Sequence, residues 1–178
     1  MKVNGTPTRS IWRVEAQPVV EIIDQTALPH AYRILRLASL EDAAHAIRSM
    51  QVRGAPLIGA TAAYGIALAL ARNADDGALT SAAATLGATR PTAVNLHWAL
   101  ARMQQHLAPL PVAARTEAAW REAAAINDED VAQNRAIGEH GLELLKPLTE
   151  KHGRLDIMTH CNAGWLATVD HGTALSPV

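Results

Sequence analysis

The sequence predicts an α+β fold in which a small antiparallel β-meander is followed by a helical domain. Residues 10–37 contain three short runs of β-branched or alternating apolar residues, which are typical of strands. Residues 39–145 instead carry apolar residues at helical spacing, punctuated by proline and glycine. A last strand-like run at 155–159 precedes a turn of small residues. We therefore expect an N-terminal domain over 1–150 and the start of an incomplete α/β domain over 151–178.

The meander is predicted to contain three strands, over residues 10–14, 19–23 and 32–37. Pro18 separates the first two strands, and the turn-rich stretch 24–29 separates the last two. Short connections between consecutive strands favour antiparallel pairing of neighbours.

Five helices are predicted after the meander, and capping residues or prolines mark where they begin. Ser39, with Asp42 three residues later, is typical of a capping box and opens a helix that reaches about Met50. Pro56 fits the opening of the next helix. The other four helices are predicted over 57–72, 80–86, 93–107 and 116–145.

The C-terminal organisation depends on the end of the last helix. Pro147 is expected to end it, and the acidic cluster at 127–130 is interpreted as a solvated face. Whether the helix is interrupted near that cluster is left open at this point. Gly172-Thr173 is expected to cap a crossover helix with Pro177 in its first turn. A lone strand at 155–159 cannot pair its backbone, so residues 155–178 either add to another sheet or are completed by residues outside this chain.

Composition excludes several classes of protein. Of the 178 residues, 49% are hydrophobic and 19% charged, which indicates a packed core rather than disorder. A net charge of −1 argues against a general nucleic-acid surface, and a single cysteine excludes an internal disulfide framework. The N-terminus lacks the apolar core of a signal peptide, and the apolar stretch 57–71 is too short for a membrane span. We therefore expect a soluble cytoplasmic protein.

Two arginines precede predicted helix starts, in Arg53-Gly54-Ala55-Pro56 and in Arg90-Pro91-Thr92. Free N–H groups and the helix dipole favour an anion there, and arginine adds bidentate hydrogen bonds to phosphate oxygens. Gly54 permits close approach of the backbone to a ligand. The alternative, that both arginines are ordinary surface residues at helix starts, remains open at this point.

Cys161 follows the predicted strand at 155–159, at the strand end where ligands collect in α/β sheets. It is either a small buried apolar residue or a reactive thiol whose pKa is lowered by nearby N–H groups or an arginine. No metal site is predicted, because His97 and His106 lie nine residues apart and no second cysteine is present. Phosphate-binding and dinucleotide-binding glycine motifs are also absent from the sequence.

Four blocks of sequence lie in order between residues 24 and 174. The strongest are Val52-Arg53-Gly54-Ala55-Pro56-Leu57-Ile58-Gly59, Arg90-Pro91-Thr92-Ala93-Val94-Asn95-Leu96 and Thr159-His160-Cys161-Asn162-Ala163-Gly164. A weaker block is Asp24-Gln25-Thr26 with Leu28-Pro29. Together these blocks resemble the methylthioribose-1-phosphate isomerase family, and their order makes the resemblance more specific than any one of them.

The resemblance implies an aldose–ketose isomerase of methionine salvage that works without a cofactor. It would convert 5-methylthioribose 1-phosphate to 5-methylthioribulose 1-phosphate. By resemblance, Arg53, Gly54, Ala55 and Arg90 bind the phosphorylated pentose, and Cys161 is the catalytic residue. The resemblance also implies a homodimer and a C-terminal Rossmann-like domain.

The sequence departs from the family in what it lacks. The family is about twice as long, and its catalytic aspartate and an Asn-Lys substrate contact belong to the part that does not match this chain. We therefore expect the chain to be inactive without that missing C-terminal half. Two alternatives remain: a non-catalytic regulatory or assembly subunit of the translation-initiation exchange-factor type, and a ribose-1,5-bisphosphate isomerase.

Overall fold

Five short strands lie within the first 37 residues of the computed structural model, which describes residues 1–178. β1 (Lys2–Val3) and β2 (Thr6–Pro7) form a hairpin that the sequence did not predict. β3 (Ile11–Arg13), β4 (Val20–Ile23) and β5 (Ile34–Leu37) form an antiparallel sheet in the order β3-β4-β5. The predicted meander is therefore confirmed, with strands somewhat shorter than expected.

The helical domain is built around one central helix. Its members are α1 (Leu40–Arg48), α2 (Ala55–Leu70), α3 (Asp76–Gly87), α4 (Val94–Leu107) and α5 (Val112–His152). Helix α2 is apolar on all sides and packs against the other four helices, so almost all of it is buried. Its alanines and glycines allow the neighbouring backbones to approach closely. The α+β class is confirmed.

Helices α3 and α5 both extend beyond their predicted bounds. α3 begins earlier because the side chain of Asp75 caps it, in a stretch that we expected to be a loop. α5 is one helix of 41 residues, without a break at the acidic cluster. It continues past Pro147, although a proline inside a helix removes one hydrogen bond and crowds the preceding turn, and it ends where Gly153 adopts a left-handed conformation with φ of 72°.

The distal half of α5 leaves the core and exposes apolar side chains. Leu142, Leu144 and Leu148 are each about half exposed or more, and so is Ile157 beyond the helix. Met158 is 97% exposed. Such a concentration of exposed apolar residues is typical of a surface that is covered by another element or chain. None of the helices is both long and apolar enough to cross a bilayer.

The predicted strand at 155–159 is not formed. Its residues have no regular structure and no backbone hydrogen bonds, because no neighbouring strand is present to pair with them. Residues 163–178, which we call the return segment, then pack back onto the helical domain. They contain a 3₁₀ turn, Trp165–Ala167, and further turns in place of the expected helix. Division of the chain at residue 150 stays a prediction.

Candidate functional site

The helices begin in two different ways. In α1, Ser39 Oγ accepts a hydrogen bond from the Asp42 N–H at 3.1 Å, which satisfies one free donor of the first turn. In α3, Asp75 Oδ1 does the same for the Ala78 N–H at 2.7 Å. A side chain caps each of these two helix starts. For α1 this confirms the predicted capping role of Ser39.

Helices α2 and α4 begin without a side-chain cap. Their N-cap positions are Gly54 and Ala93, neither of which carries a hydrogen-bonding side chain. The first-turn N–H groups that lack a helical partner are therefore left to water or a ligand. Helix α5 also begins uncapped, after Pro111, but no arginine lies immediately before it.

The turn before α2 depends on Gly54. Its φ of +98° is rarely adopted by residues with a side chain. A Cβ at this position would lie 2.4 Å from both Cα and the carbonyl oxygen of Ala167. The turn that contains Arg53, Gly54 and Ala55 therefore lies directly against the return segment. Arg53 itself is exposed.

The turn before α4 is held by its own backbone and by one side chain. The Ala93 N–H donates to the Arg90 carbonyl at 3.0 Å, and a ring nitrogen of His97 donates to the Pro91 carbonyl at 2.9 Å. The guanidinium groups of Arg90 and Arg53 form no hydrogen bond or ion pair within the protein. Arg115, by contrast, donates to four backbone carbonyls. Two unpaired guanidinium groups thus precede the two uncapped helix starts before α2 and α4.

The starts of α2 and α4 lie side by side. A Cβ at Gly59 would come within 2.9 Å of the Asn95 carbonyl oxygen, so the second turn of α2 is in close contact with the first turn of α4. Between them and the middle of α5 lies a cleft of about 320 Å³, which we call the helix-start cleft. Pro56, Val94 and Trp98 form much of its apolar wall.

Trp98 is held in place by a charged group behind it. The Arg102 guanidinium lies over the indole ring, 5.6 Å from its centroid. Arg102 Nε donates to Glu122 at 2.6 Å, and its Nη2 donates to Glu129 at 2.8 Å. The hydrogen bond from Arg102 lowers the pKa of Glu129 below its ordinary value. The indole that forms the aromatic wall of the cleft is therefore supported by a hydrogen-bonded arginine.

The return segment is fastened to the rest of the domain by three side chains. Gln25 Nε2 donates to the Leu166 carbonyl at 2.6 Å, and the Ser10 hydroxyl donates to the Thr168 carbonyl. Asp130 Oδ2 accepts from the Val169 N–H at 2.7 Å. The first β-strands, the end of the sheet and α5 thus all position this segment.

Asp130 corrects the interpretation of the acidic cluster. Asp128 and Glu129 are exposed, as expected, but Asp130 is partly buried and lines the helix-start cleft. Burial raises the pKa of its carboxyl, and the nearby Asp170 acts in the same direction. Hydrogen bonds from Val169 and Asn134 oppose that rise. One member of the cluster therefore joins the return segment to the cleft.

Cys161 is exposed and has a φ of +71°, a left-handed conformation that is uncommon for cysteine. It lies two residues before the return segment, which packs on the Gly54 turn. The alternative of a small buried apolar residue does not hold for this exposed thiol. The chain brings the Arg53 turn, the Arg90 turn and the return segment to one region, but Cys161 makes no hydrogen bond to either arginine.

Sequence reasoning missed several residues that build this region. Asn95 and Trp98 lie three residues apart in the helix that follows Arg90, and this spacing on one helical face could have placed both of them at the cleft. Asp130 is four residues from both Ile126 and Asn134, which are buried, and that spacing predicts an inward-facing side. The structure places no group of three or more His, Cys, Asp or Glu side chains where they would hold a metal ion.

The residues that build this region of the structure also match a known protein family. A family model described as the initiation factor 2 subunit family matches residues 51–175. The chain belongs to this family. The match begins just before the Arg53 turn and ends within the return segment, so it includes both arginine turns and Cys161.

Individual relatives share the same region. A methylthioribose-1-phosphate isomerase from Dechloromonas aromatica is 65% identical over 179 residues, covering 100% of this chain and 49% of the relative. A 5-methylthioribose 1-phosphate isomerase from Pyrococcus horikoshii OT3 has a solved structure with a TM-score of 0.81 and 36% identity, over 96% of this chain and 48% of that one.

A second solved structure has a different title. The translation initiation factor eIF-2B subunit delta from A. fulgidus matches with a TM-score of 0.79 and 38% identity, over 96% of this chain and 50% of that one. In all three comparisons the chain spans about half the length of the relative it matches.

Proposed function

We propose that the chain is the substrate-binding and thiol-bearing half of a methylthioribose-1-phosphate isomerase. Supporting this is the pairing of two uncapped helix starts with two unpaired arginines at one edge of a cleft. The relative that is 65% identical to the chain carries the name of this enzyme. The enzyme would convert 5-methylthioribose 1-phosphate to 5-methylthioribulose 1-phosphate in methionine salvage.

The phosphate would be bound at the helix starts. Arg53 and Arg90 supply charge-assisted hydrogen bonds, and the free N–H groups of the first turns add further donors. Gly54 and Ala55 leave that turn without a bulky side chain, so the backbone can approach the ligand. With a net charge of −1, the protein has no general basic surface, and these placed groups do the binding.

Cys161 would act on the sugar itself. Since the anomeric oxygen carries the phosphate, the ring cannot open to a free aldehyde, and the enzyme must assist ring opening before hydrogen moves from C2 to C1. Either proton transfer or hydride transfer would move hydrogen from C2 to C1, and each route requires an acid and a base near the sugar. The exposed thiol is one such group. Its partner carboxylate would come from the second half of the enzyme.

The second half would also cover the apolar surface of the distal part of α5. Leu142, Leu148 and Ile157 are exposed here and would pack against a Rossmann-like domain that continues from residue 151. The segment 155–159 has unpaired backbone groups and β-prone residues, so it would become a strand of that domain. We propose a cytoplasmic homodimer of the completed enzyme.

A second candidate function follows from the initiation-factor match. The subunit from A. fulgidus is nearly as similar in structure to this chain as the isomerase from P. horikoshii. An assembly subunit would use the exposed surface of α5 to bind partner proteins and would not need Arg90 or Cys161 for that purpose. Catalytic turnover therefore separates the two candidates.

The test combines this chain with the C-terminal half of the Dechloromonas aromatica isomerase. Formation of 5-methylthioribulose 1-phosphate is measured for each half alone and for the mixture. We expect turnover only in the mixture, and we expect Cys161→Ala to abolish it while Cys161→Ser retains binding of the sugar phosphate. Turnover by the Cys161→Ala mixture at the original rate removes the thiol from the mechanism. A mixture that forms a complex but no product favours the assembly subunit.

A further inference from the structure

Two exposed apolar side chains of α4 lie in the wall of the helix-start cleft. Val94, at the first turn, is 78% exposed, and Trp98, one turn further, is 50% exposed. Residues four apart on a helix lie on one face, and one turn separates them by about 5.4 Å along the axis. Both line the cleft. Large apolar side chains exposed inside a cleft are typical of ligand contacts rather than of the core.

The wall at Trp98 is supported on one face of the indole ring. Arg102 packs over the indole and is itself hydrogen-bonded to Glu122 and Glu129. A fixed aromatic surface loses little conformational freedom when a ligand packs on it, so the apolar contact is retained as binding free energy. The polarisable ring also makes favourable contacts with sulfur.

The charge at this end of the cleft is negative. Two carboxylates, those of Glu122 and Glu129, are paired with the single guanidinium of Arg102, and Asp130 adds a third carboxylate to the cleft lining. Arg53 and Arg90 precede the other end, at the helix starts. An anion is therefore favoured at the helix starts and disfavoured near Trp98, where a neutral apolar group fits better.

We infer that Val94 and Trp98 form the subsite for the methylthio group of the sugar, and that the carboxylates around Arg102 exclude a phosphate at the same position. This inference rests on the proposed function, in which the phosphate on C1 lies at the helix starts. The pentose then places its C5 substituent further along α4. A thioether is accepted there, whereas the C5 phosphate of ribose 1,5-bisphosphate meets like charge.

Calorimetric titration of the chain with three sugars tests this assignment. The probes are 5-methylthioribose 1-phosphate, ribose 1-phosphate and ribose 1,5-bisphosphate. Burial of the methylthio group is expected to make the first bind about tenfold more tightly than ribose 1-phosphate. The bisphosphate is expected to bind more weakly than ribose 1-phosphate.

Substitutions at Trp98 locate the selectivity. Trp98→Ala removes the wall, and we expect the affinity ratio between methylthioribose 1-phosphate and ribose 1-phosphate to fall to about one. Trp98→Leu retains an apolar wall and should keep most of the ratio. Val112→Ala is the matched control, because Val112 is an exposed apolar residue at the start of α5, outside the cleft lining. Trp98 is half exposed, so thermal melting should show all variants to be folded.

The outcomes separate the inference from the proposed function. If the chain binds both monophosphates equally, or if Trp98→Ala leaves the ratio at its original value, the subsite is wrong while the phosphate site stands. Tight binding of the bisphosphate likewise overturns the exclusion by carboxylates. If none of the three sugars binds either to the chain or to its mixture with the C-terminal half of the Dechloromonas aromatica isomerase, the proposed function and the subsite both fail.

Discussion

Helices α1 and α3 close their first turns with a side chain, whereas α2 and α4 leave theirs open. Ser39 and Asp75 accept hydrogen bonds that an uncapped helix would give to water. Gly54 and Ala93 offer no such acceptor, although an N-cap side chain would stabilise either helix. Helix α5 is also uncapped, but only the starts of α2 and α4 meet at the helix-start cleft. Side-chain caps thus stabilise the starts of α1 and α3, whereas the starts of α2 and α4 keep free N–H donors.

The turn before α2 offers the strongest way to break this arrangement. Gly54→Ala combines a disfavoured φ of +98° with a Cβ only 2.4 Å from the backbone of Ala167. We expect a loss of about 3 kcal/mol in the free energy of unfolding, measured by urea titration, because the return segment must move. Binding of the sugar phosphate should fall with it.

Gly153→Ala is the matched control for that change. Gly153 also has a left-handed φ, of +72°, but an added Cβ meets nothing within 4 Å. Its cost should be about 1 kcal/mol, which is the strain alone. Equal losses for the two variants would mean that contact between the Gly54 turn and the return segment contributes nothing to stability.

Most of the fold was predictable because its signals are local. Alternating residues gave the three-stranded sheet, and the Ser39 cap and Pro56 gave two helix starts. The prediction of a strand at 155–159 was wrong for a physical reason, since residues of high strand propensity do not form a strand without a neighbouring strand to pair with. The continuation of α5 past Pro147 was missed because a proline, which removes one hydrogen bond and crowds the preceding turn, is locally a signal for a helix end.

The arginines of the candidate site were predictable from the sequence, but the residues that line its cleft were not. Arg53 and Arg90 were found because arginine before a helix start is a pattern in sequence. Asp130 was assigned to the solvated face because its partner, the Val169 N–H, lies 39 residues away. Contacts at that separation depend on how the return segment folds back, which no local pattern specifies.

Arg90→Ala tests whether the open starts bind an anion. Since Arg90 has no protein partner, its loss should leave stability unchanged within about 0.5 kcal/mol. Affinity for 5-methylthioribose 1-phosphate should fall about tenfold to a hundredfold, the worth of a charge-assisted hydrogen bond. Calorimetry measures the affinity. Arg72→Ala is the control, since Arg72 is exposed just beyond the opposite end of α2 and should change neither quantity.

Ala93→Ser is expected to have the smallest effect, because it adds a side-chain cap to the start of α4 without adding charge. Ala93 already has the extended conformation of an N-cap, with φ of −80° and ψ of 98°, so the serine hydroxyl can accept from a first-turn N–H. We expect a gain of about 0.5 kcal/mol in stability, seen as a higher urea midpoint. Affinity for the sugar phosphate should fall about threefold, since the hydroxyl competes with the ligand for one donor.

The reverse change at α1 completes that test. Ser39→Ala opens a start that lies outside the cleft lining, so it should lower stability by about 1 kcal/mol and leave affinity unchanged. If Ala93→Ser raises stability but binding is unaffected, the free N–H groups of α4 do not contact the phosphate, and the arginines alone hold it. If both variants change only stability, the open starts have no binding role, and the difference between the two pairs of helices belongs to packing.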